Sequence, residues 1–211
     1  MKGFFLTIEG VDGAGKSSHM DSIAACFTAH QYDIVATREP GGTPLAETLR
    51  ELLLTSEMSL ETELLLMFAA RQEHINQVIK PALVSGKAVI CDRFTDSSFA
   101  YQGGGRQMAA EKIQRLADLV HPDLMPNLTL LFDVPLEIAR ERMLRERELD
   151  RFEQEEEDFF ERVRQTFLAR AAAEPERFVV IDSSQPKEQV AALVCQTIND
   201  RLKVHLQSNK V

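Results

Sequence analysis

The chain has 211 residues, 44% of them hydrophobic and 27% charged, with a formal net charge of −9. This is the make-up of a globular protein with material for one α/β core, and residues 1–211 read as a single domain. No apolar stretch approaches the roughly 20 residues that span a bilayer, and no basic segment runs into a hydrophobic one at the N-terminus; a membrane partner is not expected and a cytoplasmic location is. The acidic balance argues against a nucleic-acid surface, although a few converging arginines can still hold anionic nucleotides. Cys26, Cys91 and Cys195 are far apart, odd in number and without C-x-x-C spacing, so reduced, buried packing residues are expected.

The first β-like run is Phe4 to Glu9, and it leads directly into Gly10-Val11-Asp12-Gly13-Ala14-Gly15-Lys16-Ser17. That octapeptide satisfies G-x-x-x-x-G-K-[ST], a loop whose glycines let consecutive N–H groups turn inward on phosphates. Lys16 is placed to reach β and γ oxygens, the Ser17 hydroxyl to ligate magnesium, and Ser18 to close the binding segment. Met20, Ile23 and Phe27 follow at helical spacing, so a strand feeds a helix N-terminus. A nucleoside triphosphate is the expected ligand.

Further along, Ile34 to Arg38 is a second run, followed by Glu39-Pro40-Gly41-Gly42. Glu61 to about Ile79 has Leu64, Leu65, Phe68, Ile75, Val78 and Ile79 at amphipathic helical spacing, with Pro81 limiting its end. Ala88 to Asp92 is the third run and opens onto Arg93. Gly103-Gly104-Gly105 reads as a turn, since no strand feeds it. Leu128 to Val134 and Phe178 to Asp182 complete five runs; a last helix after Pro186 carries Val190, Leu193, Val194, Ile198 and Leu202, with a loose tail after about His205. Near-continuous apolar runs alternating with helices imply parallel strands covered on both faces, hence a three-layer α/β fold with its ligands beyond the strands' carboxyl ends. Arg140 to Arg164 mixes arginines with acids. Its acidic half reads as a solvated helix face, and its arginine half, about residues 140–152, as a mobile lid over the triphosphate.

The loop alone does not separate a GTPase, a motor and a kinase. A GTPase needs an Asn-Lys-x-Asp segment, and the Asn-Lys pair here, Asn209-Lys210, lies one residue from the end. Over essentially its whole length the chain resembles the thymidylate kinases. The resemblance rests on Glu9 to Ser17, Thr37-Arg38-Glu39-Pro40-Gly41-Gly42-Thr43, Asp92-Arg93-Phe94, Ala100-Tyr101-Gln102-Gly103-Gly104-Gly105-Arg106 and Pro122-Asp123-Leu124. It implies a phosphate-loop nucleoside monophosphate kinase fold with a five-stranded parallel sheet, a homodimer, ATP as donor, Mg²⁺, and in-line transfer of the γ-phosphoryl group to dTMP for dTTP synthesis. The rival functions are a kinase of another monophosphate and a non-catalytic nucleotide switch.

Residue by residue, the resemblance places Asp12 on the acceptor side and Arg38 and Arg93 on the acceptor phosphate. An ion pair with a nearby carboxylate such as Glu39 is the plain alternative for Arg38. Arg71 would meet thymine O4, Ser98 and Gln102 the base edge, and Tyr101 the sugar C2′. The family pattern Phe-x-x-x-Arg would put a phenyl ring four before Arg71, where this chain has Met67; Phe68 is favoured to stack on the base, with Met67 as the other candidate. Lys16 and Arg93 are the expected catalytic cations together with a lid arginine, Arg145 or Arg147, with Arg142 a third candidate. Asp92 would orient magnesium-bound water.

Overall fold

A computed structural model of the chain describes residues 3–146, 152 and 155–207. Five parallel strands, β1 (Phe4–Glu9), β2 (Ile34–Arg38), β3 (Ala88–Asp92), β4 (Leu128–Asp133) and β5 (Phe178–Asp182), form one sheet in the order β2-β3-β1-β4-β5. Side chains alternate across a strand, and here both faces are covered. Phe4, Leu6 and Ile8 of β1 join Ala88 and Ile90 of β3 in a cluster with Ile23, Phe27, Val194, Ile198 and Leu202. Phe5, Val89 and Cys91 face the opposite way, onto Ile75, Ile79, Ala82 and Phe94.

The helices in chain order are α1 (Met20–Ala29), α2 (Pro44–Thr55), α3 (Leu60–His74), α4 (Lys80–Val84), α5 (Thr95–Ser98), α6 (Ala110–Val120), α7 (Leu136–Glu146), α8 (Glu157–Ala173) and α9 (Lys187–Gln207). Local chemistry sets their starts. Thr43 caps α2 by accepting from the Ala46 N–H with Pro44 in the first turn, and Ser59 caps α3 by accepting from the Thr62 N–H. A single 3₁₀ turn, Ser17–His19, joins the phosphate loop to α1.

Two π-helical segments depart from the sequence expectation. Residues Ile75–Ile79 widen into a π-helix and the chain continues helically through Pro81, which sits in the first turn of α4. Pro81 therefore does not end the helical run where a terminus is expected; it follows directly on the widened π segment. The second segment, Phe99–Gly105, follows α5 and contains the triglycine. Those glycines are not a turn: a Cβ on Gly104 would run into Thr166 and one on Gly105 into the Phe159 ring, so they allow α8 to lie against the π segment.

Two smaller expectations change as well. Leu65 and Leu193 are exposed although they fall at helical core spacing. Cys26 and Cys195 are joined as a disulfide, their Cα atoms 5.9 Å apart; α1 and α9 lie side by side, which a separation of 169 residues conceals. Cys91 is free and buried, as expected.

One buried ionic cluster ties the layers together. Asp96 of α5 accepts from Arg170 Nε of α8 at 2.5 Å and from Arg177 Nη1 at 2.6 Å, just before β5. Burial pushes the Asp96 carboxyl up, but the bonds and charges of Arg177 and Arg170 outweigh it and hold the carboxyl below its ordinary value.

Candidate active site

The register Ile8↔Asp92 and Arg38↔Asp92 brings the ends of β1, β2 and β3 level. From that edge the phosphate loop curls back over α1. Gly13 has φ +76°, and a side chain there would strike the Ala139 carbonyl of α7. The loop rims a cavity of about 450 Å³ lined by Asp12 to His19, Asp92, Arg142, Met143, Ser183, Gln185, Lys187 and Val190. Gly10 and Val11 lie beneath it, their carbonyl oxygens 3.0 and 2.9 Å from Lys16 Nζ. Burial and the nearby Arg93 charge lower the Lys16 pKa, while Asp12, Asp92 and Glu9 pull the other way.

A second cavity opens beside the first, lined by Asp12, Glu39, Pro40, Arg50, Leu54, Met67, Arg71, Arg93, Phe94, Ser97, Ser98, Tyr101, Gln102 and Phe152. Asp12 borders both. Its carboxylate accepts from Arg93 Nη2 at 2.6 Å and from the Tyr101 hydroxyl at 2.9 Å. Burial works against the Asp12 charge, but Arg93 and Lys16 overcome it and hold the carboxyl well below the carboxylate range. Arg93 also donates to Gly10 O and Ser97 Oγ at 3.1 Å each, and Tyr101 OH lies 3.0 Å from its Nη2. Ser97 passes the network on to buried Glu9, donating to Oε2 at 2.6 Å, while the Phe94 N–H donates to Glu9 Oε1. Burial and Asp96 raise the Glu9 pKa to about 8.

The far end of this cavity holds two buried polar arms. Arg71 donates through Nε to Glu39 at 2.6 Å, through Nη1 to Ser98 Oγ at 3.1 Å and through Nη2 to Phe94 O at 3.2 Å. His74 lies 3.0 Å from the other Glu39 oxygen and 2.7 Å from Thr37. Gln102 donates Nε2 to Glu63 Oε1 at 2.9 Å.

Lys16, Asp12, Arg93, Arg71, Ser98, Tyr101 and Gln102 thus converge. Two of the expected residues do not. Arg38 is half exposed and turns from the edge strand β2 to Glu47 of α2, its Nη2 2.9 and 3.0 Å from the two carboxylate oxygens; the partner is Glu47 where Glu39 was considered, since Glu39 is committed to Arg71. Phe68 is buried beneath Arg71, whose guanidinium carbon lies 4.6 Å from the ring centroid, and stacks on His121; Met67 is the neighbour that reaches the cavity wall. One step along a helix turns a side chain by about 100°, so the two cannot share a face.

Arg50 of α2 lines the second cavity and was not among the expected residues; Phe152, at the end of the expected lid, lines it too. Of the lid arginines, Arg142 donates to Ser183 O at 3.1 Å and reaches Gly13 O at 3.5 Å. The backbone at Arg145 belongs to α7, while Arg147 lies outside the described residues, as does most of the expected lid beyond 146. For a divalent ion, Asp92 supplies the fitting observation: its Oδ1 is buried without a hydrogen-bond partner and the residue borders the same cavity as Ser17.

A strand–loop–helix phosphate cradle beside a second polar cavity, on this sheet order, defines a phosphate-loop nucleoside monophosphate kinase. The sequence profile of thymidylate kinases matches residues 8–194. The thymidylate kinase of Methylobacillus flagellatus is 57% identical over 190 residues, covering 90% of this chain and 94% of the relative; that of Bordetella pertussis is 56% identical over 191 residues, covering 90% and 92%. The crystal structure of the Ehrlichia chaffeensis thymidylate kinase superposes with a TM-score of 0.75 at 34% identity, covering 94% of this chain and 99% of that one. The chain belongs to the thymidylate kinase family.

Proposed function

We propose that this protein transfers the γ-phosphoryl group of ATP in line to the 5′-phosphate of dTMP, with the phosphate loop holding the donor and the cavity from Arg93 to Gln102 holding the acceptor. The observation that carries this reading is the shared wall: Asp12 lines both cavities and is bonded to Arg93 of the second, where a triphosphate and a monophosphate would meet. A phosphate monoester is already ionised near neutral pH, so the work left to the protein is to align two polyanions and offset their repulsion. Lys16, Arg93 and Arg50 supply positive charge at the junction, with Arg142 and a lid arginine, Arg145 or Arg147, on the donor side. Arg71, Ser98 and Gln102 present polar atoms to the base edge, Met67 lies along its face, and Tyr101 crowds the sugar. Ser17 and Asp92 would hold Mg²⁺, directly and through water; bound there, the ion would neutralise triphosphate charge.

The same reading includes a single domain with residues 140–152 as lid, a cytoplasmic location and a homodimer. Exposed Leu45 and Leu52 of α2 and Leu65 of α3 offer apolar surface for self-association. No helix among the described residues is long and apolar enough to cross a membrane.

The test is ADP release from Mg-ATP with dTMP, dUMP, dCMP, dGMP and AMP in turn. Strong stimulation by dTMP and weaker stimulation by dUMP supports the reading. Preference for another monophosphate reassigns the acceptor, and no stimulation by any of them overturns catalysis.

A further inference from the structure

We infer that Glu63, a buried residue of α3 outside the wall of the acceptor cavity, is a specificity-positioning residue: it locks the Gln102 amide in the orientation that accepts a base N3–H. This rests on the reading of Gln102 as a contact to the base.

Glu63 and Gln102 are each 1% exposed, and Gln102 Nε2 lies 2.9 Å from Glu63 Oε1. An ionised carboxylate has acceptors only, so the amide must turn its NH₂ group toward it. The Arg106 guanidinium lies 3.6 Å from Glu63 Oε2, on the side away from Gln102's contact to Oε1, and Arg106 is itself braced by Glu155 and lies over the Phe152 and Phe159 rings. With its NH₂ engaged, Gln102 has Oε1 to offer the cavity. Nearby, Arg71 is a donor without acceptor capacity, fixed by Glu39 and Ser98.

The two arms together match a pyrimidine with a carbonyl at position 4 and a proton on N3. Cytosine inverts both features: its N3 is an acceptor and its position 4 carries NH₂. A free glutamine could rotate its amide and donate to cytosine N3. A glutamine held by a carboxylate would have to abandon a buried charge-assisted bond to do so. Glu63 therefore acts by exclusion, leaving the wrong base an unpaired buried acceptor.

The experiment compares kcat/KM for dUMP and dCMP, which differ only at N3 and position 4, in the wild-type protein, Glu63→Gln and Gln102→Ala. A glutamine at 63 can donate or accept, which frees the neighbouring amide to invert. In Glu63→Gln the dUMP over dCMP preference should fall roughly tenfold, with the loss for dTMP falling on KM more than on kcat. Unchanged preference in Glu63→Gln, where Gln102→Ala does raise the KM for dTMP, overturns the role of Glu63. Unchanged KM in Gln102→Ala instead overturns the reading of Gln102 on which it rests. Should Glu63→Gln not fold, the Gln102 side-chain NH₂ resonances in the wild-type protein, assigned by their absence from Gln102→Ala, decide: their hydrogen-bonded shifts should persist when dUMP binds, and their loss overturns the lock.

Discussion

Arg93 adopts φ +67°, a left-handed conformation that an arginine avoids elsewhere, and such strain costs on the order of 1–3 kcal/mol. Its backbone N–H bond to Ile8 O at 2.9 Å and its side-chain bonds to Gly10, Ser97, Asp12 and Tyr101 hold it there. The result is a guanidinium that emerges from the end of β3 already fixed against Asp12, the residue the two cavities share. Lys16 lines the first of those cavities, and Lys16→Ala should lower kcat/KM by about 10²–10³-fold or more while leaving the circular dichroism spectrum and urea midpoint close to wild type. Behind Arg93, Glu9 titrates oddly. A carboxyl whose folded-state pKa is raised from 4.5 to about 8 binds its proton more tightly in the folded protein. Its stabilising contribution is full below pH 4.5 and is lost as pH climbs toward 8. Urea unfolding at pH 5 and pH 8 should show the wild-type protein losing stability over this range relative to Glu9→Gln; parallel curves would refute the raised pKa.

Among the elements, the strands were readable because strands buried on both faces are continuous apolar runs; four of the five match the sequence expectation to the residue, and β4 ends one residue short, at Asp133. At the strand ends the motifs place Lys16, Asp92 and Arg93 along the two cavities, whereas Arg38, at the end of the edge strand β2, turns away to Glu47. Partners set by packing between helices were not readable. Nothing in Leu60-Glu61-Thr62-Glu63 distinguishes Glu63, buried against Gln102, from Glu61, which faces solvent and Lys112. Likewise, the π segment Phe99–Gly105 is fixed by what lies on it, namely α8. Gly105→Ala should push that segment off Phe159, costing about 1–3 kcal/mol in urea unfolding and raising the KM for dTMP through displacement of Tyr101 and Gln102. The ion cluster that seats α5 against α8 predicts a larger effect. Asp96→Ala leaves Arg170 and Arg177 without their shared carboxylate, a loss of about 3–5 kcal/mol measurable by the same titration.

At the scale of the whole molecule, five parallel strands end on one edge, and the phosphate loop, Asp92 and Arg93 hang from that edge. β1 at the centre feeds the phosphate loop, β3 beside it supplies Asp92 and Arg93, and the long α3 reaches round to close the far end of the second cavity. On the proposed function the two cavities are adjoining rooms for ATP and dTMP that share the Asp12 side chain. A partition shared in this way is a thermodynamic link: whatever one occupant does to the Asp12–Arg93 pair, the other must feel by the same factor in reverse. Calorimetric titration of a non-hydrolysable ATP analogue with and without dTMP, and of dTMP with and without the analogue, should return equal affinity ratios different from one, and Asp12→Asn should bring both ratios toward unity. The enzyme would then sense whether its second seat is filled through the carboxylate that keeps the two guests apart.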